Sequence, residues 1–307
     1  MLAYSLTLDE DRIATVVFDM PGKVNVMNEV FMASMKEIMD RLEGYGNALR
    51  GVILTSAKST FFAGGDLALM LRAEPGQEAF LEQHFNELKG YFRRLEKLPA
   101  PVVAAINGTA LGGGYELCLA CHHRVALRRD RVQIGLPEVS FGILPAAGGV
   151  VRLSYLLGLA SALPFLLGGR KVDVQTAYVC GLVDEIANTP EELVQRARDW
   201  ILRCTVPPLQ QWDAQPKTLL MSSAPLAERR STQQVVADFS EDAKQNPAIE
   251  EILRVANLAS SMDVDAVFAE ETIGFVRLVL SENAKSRIGQ FFESNRQKSE
   301  TKETASR

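Results

Sequence analysis

The sequence lacks an excess of basic residues, a long apolar run and a secretion signal. Its 307 residues include 33 Lys or Arg against 38 Asp or Glu, a formal net charge of -5. A negative charge argues against nucleic acid as the main partner. No apolar run is long enough to span a membrane, and the N-terminus lacks a basic segment followed by an apolar core. We therefore expect a soluble, cytoplasmic protein.

Cysteine is scarce, which limits the number of disulfide bonds and cysteine-ligated metal sites that the chain can form. The four cysteines are Cys118, Cys121, Cys180 and Cys204. They lie in apolar or helical contexts, so we expect reduced, packed side chains rather than bridges. The first two lie beside His122 and His123, which raises the hypothesis of a metal site. Helix packing accounts for these cysteines and no second ligand cluster exists in the sequence, so we expect no metal.

A glycine-rich segment near the middle of the chain carries the strongest functional signal. Residues 101–106 form an apolar run typical of a buried strand. Gly112-Gly113-Gly114 then opens a predicted helix, and Glu116 follows within its first turn. Backbone N–H groups at a helix start have no partners inside the helix and can face an anion. A carboxylate beside such donors indicates acyl-group chemistry.

Two further glycine-containing turns accompany this segment. Glu138 follows Glu116 by 22 positions, and a stretch rich in glycine and proline, 141–149, comes directly after it. Upstream, residues 61–67 contain Gly64-Gly65 and follow an apolar strand at 52–55. Three strands thus each run into a turn with glycine. Catalytic groups often lie on loops that a rigid scaffold holds in place.

Alternation of strands and helices over the first half predicts an α/β core. We place this core at residues 1–205, a helical C-terminal region at 206–296 and a disordered tail at 297–307. The tail is polar and poor in hydrophobic residues. No G-x-G-x-x-G unit follows the core, so no NAD role is inferred.

Together these segments resemble the enoyl-CoA hydratase/isomerase (crotonase) superfamily. The motifs that carry the resemblance are Ala63-Gly64-Gly65-Asp66, Asn107-Gly108, Gly112-Gly113-Gly114-Tyr115-Glu116-Leu117, Leu136-Pro137-Glu138, Gly148-Gly149, Leu166-Leu167-Gly168-Gly169-Arg170 and Gly181-Leu182-Val183-Asp184-Glu185. Each motif is weak alone, but their order and spacing are specific. The interval between the two glutamates and Ala120-Cys121-His122 look most like the hydratase domain of multifunctional fatty-acid oxidation proteins.

The resemblance implies a crotonase fold of repeated ββα units and a specific chemistry. The N–H groups of Gly65 and Gly113 would form an oxyanion hole for the thioester oxygen. Glu116 would orient and deprotonate water, and Glu138 would protonate the α-carbon. The implied reaction is hydration of trans-2-enoyl-CoA to 3-hydroxyacyl-CoA, with no cofactor, since coenzyme A is part of the substrate.

The resemblance also implies a binding site for the CoA part of the substrate. It points to Lys23, Val24 and Ala63, with Lys58 as a possible phosphate contact. Asp66 is expected to cap the helix that begins at Leu67 rather than take part in chemistry.

The chain departs from the family pattern at two positions. Ala146 stands where the family usually has glycine, and His123 replaces a small or acidic residue; either could reshape the acyl pocket. His84, His122 and His123 have no family role, and we expect the last two to be structural.

Three alternatives to hydration stay open at this point. Two are other reactions of the superfamily, double-bond isomerisation and thioester hydrolysis. The third is a non-catalytic acyl-CoA-binding subunit that docks a partner through residues 209–307. The family commonly forms trimers or pairs of trimers, so a homotrimer or hexamer is expected.

Overall fold

The computed structural model describes residues 3–206, 208–213, 231–259 and 261–305, with side chains up to 297. The strands are β1 Tyr4–Leu8, β2 Ile13–Phe18, β3 Gly51–Ser56, β4 Thr60–Phe62, β5 Val102–Ile106, β6 Thr109–Leu111, β7 His123–Leu127, β8 Ile134–Gly135, β9 Lys171–Val172 and β10 Glu185–Ala187. The helices of the first 203 residues are α1 Glu29–Gly44, α2 Leu67–Arg72, α3 Glu78–Glu96, α4 Gly113–Leu119, α5 Gly149–Leu157, α6 Leu159–Gly168, α7 Val174–Val179 and α8 Pro190–Arg203. The later helices are α9 Thr232–Asp238, α10 Ser240–Ala243, α11 Pro247–Leu258, α12 Val264–Val279 and α13 Glu282–Ala305.

The strands form two sheets, and a repeated unit of the chain contributes one strand to each sheet. The larger sheet has the order β1-β2-β3-β5-β7-β10 and the smaller one β4-β6-β8-β9. Each of β3, β5 and β7 lies in the larger sheet, and the strand that follows it lies in the smaller sheet. A helical segment comes after each such pair, which confirms the expected repeated ββα units. The central strand β5 is buried along its whole length, as its continuous apolar sequence predicted.

The smaller sheet determines where the functional loops meet. β4 pairs with β6 and β6 with β8, both in parallel. The carboxyl ends of parallel neighbours lie at the same edge of a sheet. Gly64-Gly65 follows β4, Gly112-Gly113 follows β6 and Glu138 follows β8. Segments distant in the sequence therefore converge at one edge.

The C-terminal helices pack directly on the core. α12 lies against α3 and α5, and α13 lies against α2. A buried ion pair joins α3 to α12, with Lys89 Nζ 2.9 Å from Glu271 Oε2. Beside it, Arg93 contacts the carboxylates of Asp213 at 2.7 Å and Asp265 at 2.9 Å. The C-terminal helices therefore share buried contacts with the rest of the chain, and the predicted limits 1–205 and 206–296 stay a prediction.

The last helix corrects one expectation about the tail. α13 continues to Ala305, so the described part of the segment predicted to be disordered is helical. Lys, Glu and Ala have high helix propensity, and a helix that has already formed extends at little cost. The predicted tail residues 306 and 307 lie outside the described part of the chain. Among the described residues, no helix is long and apolar enough to cross a membrane.

Candidate active site

One cavity brings together the four residues expected to carry the chemistry. Gly65, Gly113, Glu116 and Glu138 all line it. The other lining residues are mostly apolar: Met27, Met32, Asp66, Leu69, Met70, His84, Phe85, Leu88, Ile143, Leu144, Ala146, Ala147 and Phe275. The enclosed volume is about 40 Å³, which leaves room for water but not for an acyl chain.

The two glycines of the expected oxyanion hole face each other. Gly113 is the first residue of α4, where N–H groups have no partner inside the helix. A Cβ built on Gly113 would lie 3.7 Å from the Gly65 nitrogen and 2.8 Å from Met27 Sδ. The Gly65 loop is fixed by the N–H of Met27, which donates to Gly64 O at 3.0 Å. A Cβ at 113 would thus displace the Met27 side chain beside the two N–H groups, which favours glycine at this position.

Glu116 is buried and held by the loop in front of α5. Its Oε1 accepts hydrogen bonds from the N–H groups of Ala147 and Gly149, both at 2.7 Å. Burial raises the pKa of the Glu116 carboxyl to about 7, and the neighbouring carboxylate of Glu271 adds to this rise. The two N–H donors and Arg152 act in the opposite direction. Glu116 can thus exchange a proton near neutral pH.

Glu138 lies in a different environment in the same cavity. It begins the short 3-10 helix Glu138–Phe141 that follows β8. Its Oε2 is buried and has no hydrogen-bond partner among the described residues. Burial, with a further contribution from Glu116, raises the pKa of the Glu138 carboxyl well above its usual value. At Gly112, φ is +55°, and a Cβ there would come within 2.6 Å of Glu138 Oε1. Gly112 therefore leaves space for this carboxyl group.

The residues expected to bind CoA do not all meet in one place. Ala63 lines a second, larger cavity of about 510 Å³, which shares Gly65 and Glu138 with the first. Lys23 and Val24 lie in the loop between β2 and α1 and are not among the residues that line either cavity. The Lys58 ammonium contacts the carbonyl oxygens of Met20 and Gly22, the latter at 2.5 Å. This lysine holds the loop, and its contact with phosphate stays a prediction.

The capping role expected of Asp66 is confirmed. Its Oδ1 accepts hydrogen bonds from Ala68 N at 2.9 Å and Leu69 N at 3.0 Å. Of the two departures from the family pattern, Ala146 lines the inner cavity, whereas His123 does not.

The histidines that follow α4 have structural contacts. His123 stacks on Trp200 with ring centroids 4.5 Å apart, and its Nε2 lies 3.2 Å from Glu185 Oε1. His122 Nδ1 accepts a hydrogen bond from Val102 N at 3.0 Å. All four cysteines are free, and no three His, Cys, Asp or Glu side chains of the described residues are grouped to hold a metal.

Sequence reasoning missed the residues that the C-terminal helices and α3 bring to the site. Phe275 of α12 and Phe85 of α3 close the inner cavity with ring centroids 4.3 Å apart. His84 also lines it, next to Phe85. Glu271 and Lys89 lie immediately behind, both almost completely buried. Helix spacing was the available signal for Glu271, which falls on a mostly apolar face of α12, whereas Lys89 shares its buried face of α3 with Arg93 and Glu96.

An α/β fold of ββα units whose cavity joins two glycine N–H donors and two buried carboxyl groups is that of the crotonase superfamily. The family model for enoyl-CoA hydratase/isomerase matches residues 9–246, and the chain belongs to this family.

Solved structures agree with this fold. An enoyl-CoA hydratase from Bacillus anthracis is 29% identical over 66% of this chain and 76% of its own, with a TM-score of 0.59. An enoyl-CoA hydratase/carnithine racemase from Magnetospirillum magneticum is 25% identical over 66% of this chain and 74% of its own, with a TM-score of 0.57. Human mitochondrial delta3-delta2-enoyl-CoA isomerase is 22% identical over 96% of this chain and 99% of its own, with a TM-score of 0.66, a likeness of fold alone.

Proposed function

We propose that this protein hydrates trans-2-enoyl-CoA to 3-hydroxyacyl-CoA. Glu116 takes a proton from water as the water oxygen bonds to C3 of the enoyl group. The negative charge moves to the thioester oxygen, where the N–H groups of Gly65 and Gly113 stabilise it. Glu138 then gives its proton to C2. Glu116 ends protonated and Glu138 ionised, and proton exchange with solvent restores both groups. The reaction needs neither a metal nor a redox cofactor.

The different surroundings of the two glutamates in one cavity carry this proposal. The Glu116 pKa of about 7 suits a group that accepts a proton near neutral pH. The Glu138 pKa, raised well above its usual value, suits a group that is protonated and able to donate. Pairs of carboxyl groups with separated pKa values are typical of acid and base partners.

The larger cavity supports CoA thioesters as the substrate class. Its volume of about 510 Å³ is typical of a ligand pocket, and it reaches Gly65 and Glu138 from outside. We propose that the CoA part occupies this cavity and that the acyl part enters the inner one, whose lining side chains must move apart to admit it.

Isomerisation is the second candidate, and one observation favours it. Two N–H groups hold Glu116 Oε1, whereas Glu138 Oε2 has no hydrogen bond within the described part of the chain. A single carboxyl group with a free oxygen is enough for this reaction: in its ionised form it takes the proton from C2 and then returns it to C4 of the bound enoyl group. Such a reaction would use Glu138 alone.

The test follows the ultraviolet absorbance of the conjugated enoyl thioester. Wild type is expected to remove the absorbance of 2-enoyl-CoA, and Glu116→Gln and Glu138→Gln are each expected to lose at least about a hundredfold in kcat. Exposed Glu250 gives the matched control, and Glu250→Gln should behave like wild type. If absorbance instead appears with 3-enoyl-CoA and survives in Glu116→Gln, isomerisation replaces hydration. Release of free thiol would indicate thioester hydrolysis.

A further inference from the structure

A third buried carboxylate lies behind the two glutamates of the cavity. Glu271 of α12 is fully buried and does not line the cavity. Its Oε1 accepts a hydrogen bond from Val150 N at 3.1 Å. Val150 is the residue after Gly149, whose N–H donates to Glu116. Backbone N–H groups at the start of α5 therefore donate hydrogen bonds to two carboxylates, those of Glu116 and Glu271.

Glu271 is itself held by a buried cation. Lys89 Nζ lies 2.9 Å from Glu271 Oε2 and also donates to Phe268 O at 2.5 Å and Thr272 Oγ1 at 2.8 Å. A buried ion pair is often no more stable than a well-packed apolar pair, because both charges lose their hydration. Stability is thus a weak reason for placing this pair here, next to Glu116.

We propose that Glu271, held by Lys89, is a positioning residue for Glu116. It fixes the N-terminus of α5 through Val150, so that the N–H groups of Ala147 and Gly149 keep the Glu116 carboxylate in the cavity. Its negative charge also favours the protonated form of Glu116. This role rests on the proposed function, in which Glu116 is the base.

The charges around Glu116 come from four elements. Glu271 on α12 and Glu138 on the 3-10 helix are acidic, whereas Arg152 on α5 and Lys89 on α3 are basic. Arg152 is already paired with Glu96, at 2.5 Å. Neutralising Glu271 removes one acidic neighbour and leaves both basic ones, so the Glu116 carboxyl should lose its proton at lower pH.

Two variants and one control test this role. Glu271→Gln removes the charge and keeps an oxygen for Val150. Lys89→Met/Glu271→Gln removes both charges, so that no unpaired ammonium is left in the core. Glu250→Gln removes an exposed carboxylate. Titration of Glu116 is followed by carbon-13 NMR of glutamate carboxyl groups, with the signal assigned by its loss in Glu116→Gln.

The Glu116 midpoint is expected to fall by about one pH unit in Glu271→Gln and by less in the double variant, and not in the control. If the wild type hydrates enoyl-CoA, kcat should fall about tenfold to a hundredfold in Glu271→Gln with little change in KM, as for a displacement of order 1 Å. The acid limb of the kcat profile should move with the NMR midpoint.

The outcomes separate this inference from the proposed function. A shifted midpoint in a protein that hydrates no enoyl-CoA supports the role of Glu271 and removes the hydratase proposal. An unshifted midpoint overturns the inference, whether or not the wild type is active. Full recovery of kcat and thermal midpoint in the double variant, with an unmoved Glu116 titration, would likewise overturn it, because burial of an unpaired charge would then explain the loss.

Discussion

At the scale of single residues, the supply of hydrogen-bond donors separates the two glutamates of the cavity, because both are buried. Both are glutamates within one small space, yet Glu116 is supplied with two N–H donors and Glu138 Oε2 with none among the described residues. A carboxyl group that loses hydration without gaining donors stays protonated to higher pH. The same physics makes the stability of the protein depend on pH.

Glu116 is predicted to destabilise the folded protein as pH rises from about 4.5 to about 7. The pKa of the Glu116 carboxyl group is raised in the folded state. Over this pH window the carboxyl group is therefore ionised in the unfolded chain before it is ionised in the folded protein. Ionisation stabilises the unfolded chain relative to the folded protein. The difference in unfolding free energy between wild type and Glu116→Gln should therefore change by about 3 kcal/mol across the window, in the direction that favours the variant at pH 7. Urea denaturation at several pH values measures it. A difference that stays constant would contradict the raised pKa.

Gly149 is predicted to be indispensable for the position of Glu116. A Cβ at Gly149 would lie 2.8 Å from Glu116 Oε1 and 2.8 Å from Pro145 Cβ. Gly149→Ala should therefore displace the carboxylate and lower kcat about a hundredfold. Gly90→Ala is the matched control, since Gly90 is exposed in α3 with no atom near its Cβ, and helix propensity favours that change by up to about 1 kcal/mol. Equal kcat in the two variants would contradict the geometry.

The sequence allowed the four cavity residues to be predicted, but not the pair behind them. Gly65, Gly113 and the two glutamates are carried by local motifs after strands. Glu271 and Lys89 belong to no motif, and the only signal is their spacing. Glu271 falls three residues after Phe268 and four before Phe275, so a helix places it on the apolar face. The cation that pairs with Glu271 depends on how α3 packs against α12, and the spacing of residues along one helix does not predict this packing.

At the scale of secondary-structure elements, α13 stabilises the loop that carries Gly65. Lys285 Nζ donates to the carbonyl oxygens of Met70 at 2.7 Å and Leu71 at 3.0 Å, at the end of α2. The last carbonyl groups of a helix have no internal partners, and a cation there is favourable. α2 begins two residues after Gly65, so α13 reaches the oxyanion loop through α2.

Loss of this contact is predicted to loosen α2 without unfolding the protein. Lys285→Met should cost about 1–2 kcal/mol of local stability, which corresponds to a 5–30-fold rise in hydrogen exchange over residues 65–73. Lys244→Met removes an exposed lysine and should leave that exchange unchanged. Unaltered exchange in Lys285→Met would mean that α13 does not support the loop.

The elements that were predicted well are those with strong periodicity or continuous apolar runs. The apolar run at 101–106 predicted a buried strand, and β5 spans Val102–Ile106. The short strands β4, β6 and β9 were not predicted, because two or three residues carry no periodicity. Together with β8 they form the smaller sheet, in which the parallel pairing of β4, β6 and β8 brings the functional loops together. The convergence of these loops was therefore available only from the family resemblance.

At the scale of the whole molecule, the C-terminal region completes the site. α12 supplies Phe275 to the cavity wall and Glu271 to the ion pair behind it. The limits 1–205 and 206–296 stay a prediction, and the family match crosses the first limit and ends at residue 246. Docking of a partner through this region is a proposal. Such a partner would have to bind the outer face of the region, because the inner face packs on the core.

Phe275 is predicted to limit the length of the acyl chain. It closes the inner cavity against Phe85, so Phe275→Ala should open space for longer 2-enoyl groups. The ratio of kcat/KM for a long-chain to a short-chain substrate should rise about tenfold or more, as for other apolar pockets. Ile273 is partly exposed on the same helix, and Ile273→Ala should leave the ratio unchanged. A ratio that does not rise in Phe275→Ala would place the acyl chain elsewhere.

A homotrimer or a pair of trimers, and a cytoplasmic location, are proposals that follow from the family. One chain has a mass of 33.7 kDa, so light scattering of a trimer should give three times this value. A mass equal to one chain would exclude a stable trimer.

The most direct test of the central claim is the fate of labelled water. The protein is given 2-enoyl-CoA in deuterium oxide enriched in the heavy oxygen isotope, and the product is analysed by mass spectrometry. Addition across the double bond by Glu116 and Glu138 predicts one heavy oxygen at C3 and one deuterium at C2, with the thioester intact. Deuterium without heavy oxygen, or heavy oxygen in a free acid with release of CoA, would contradict hydration.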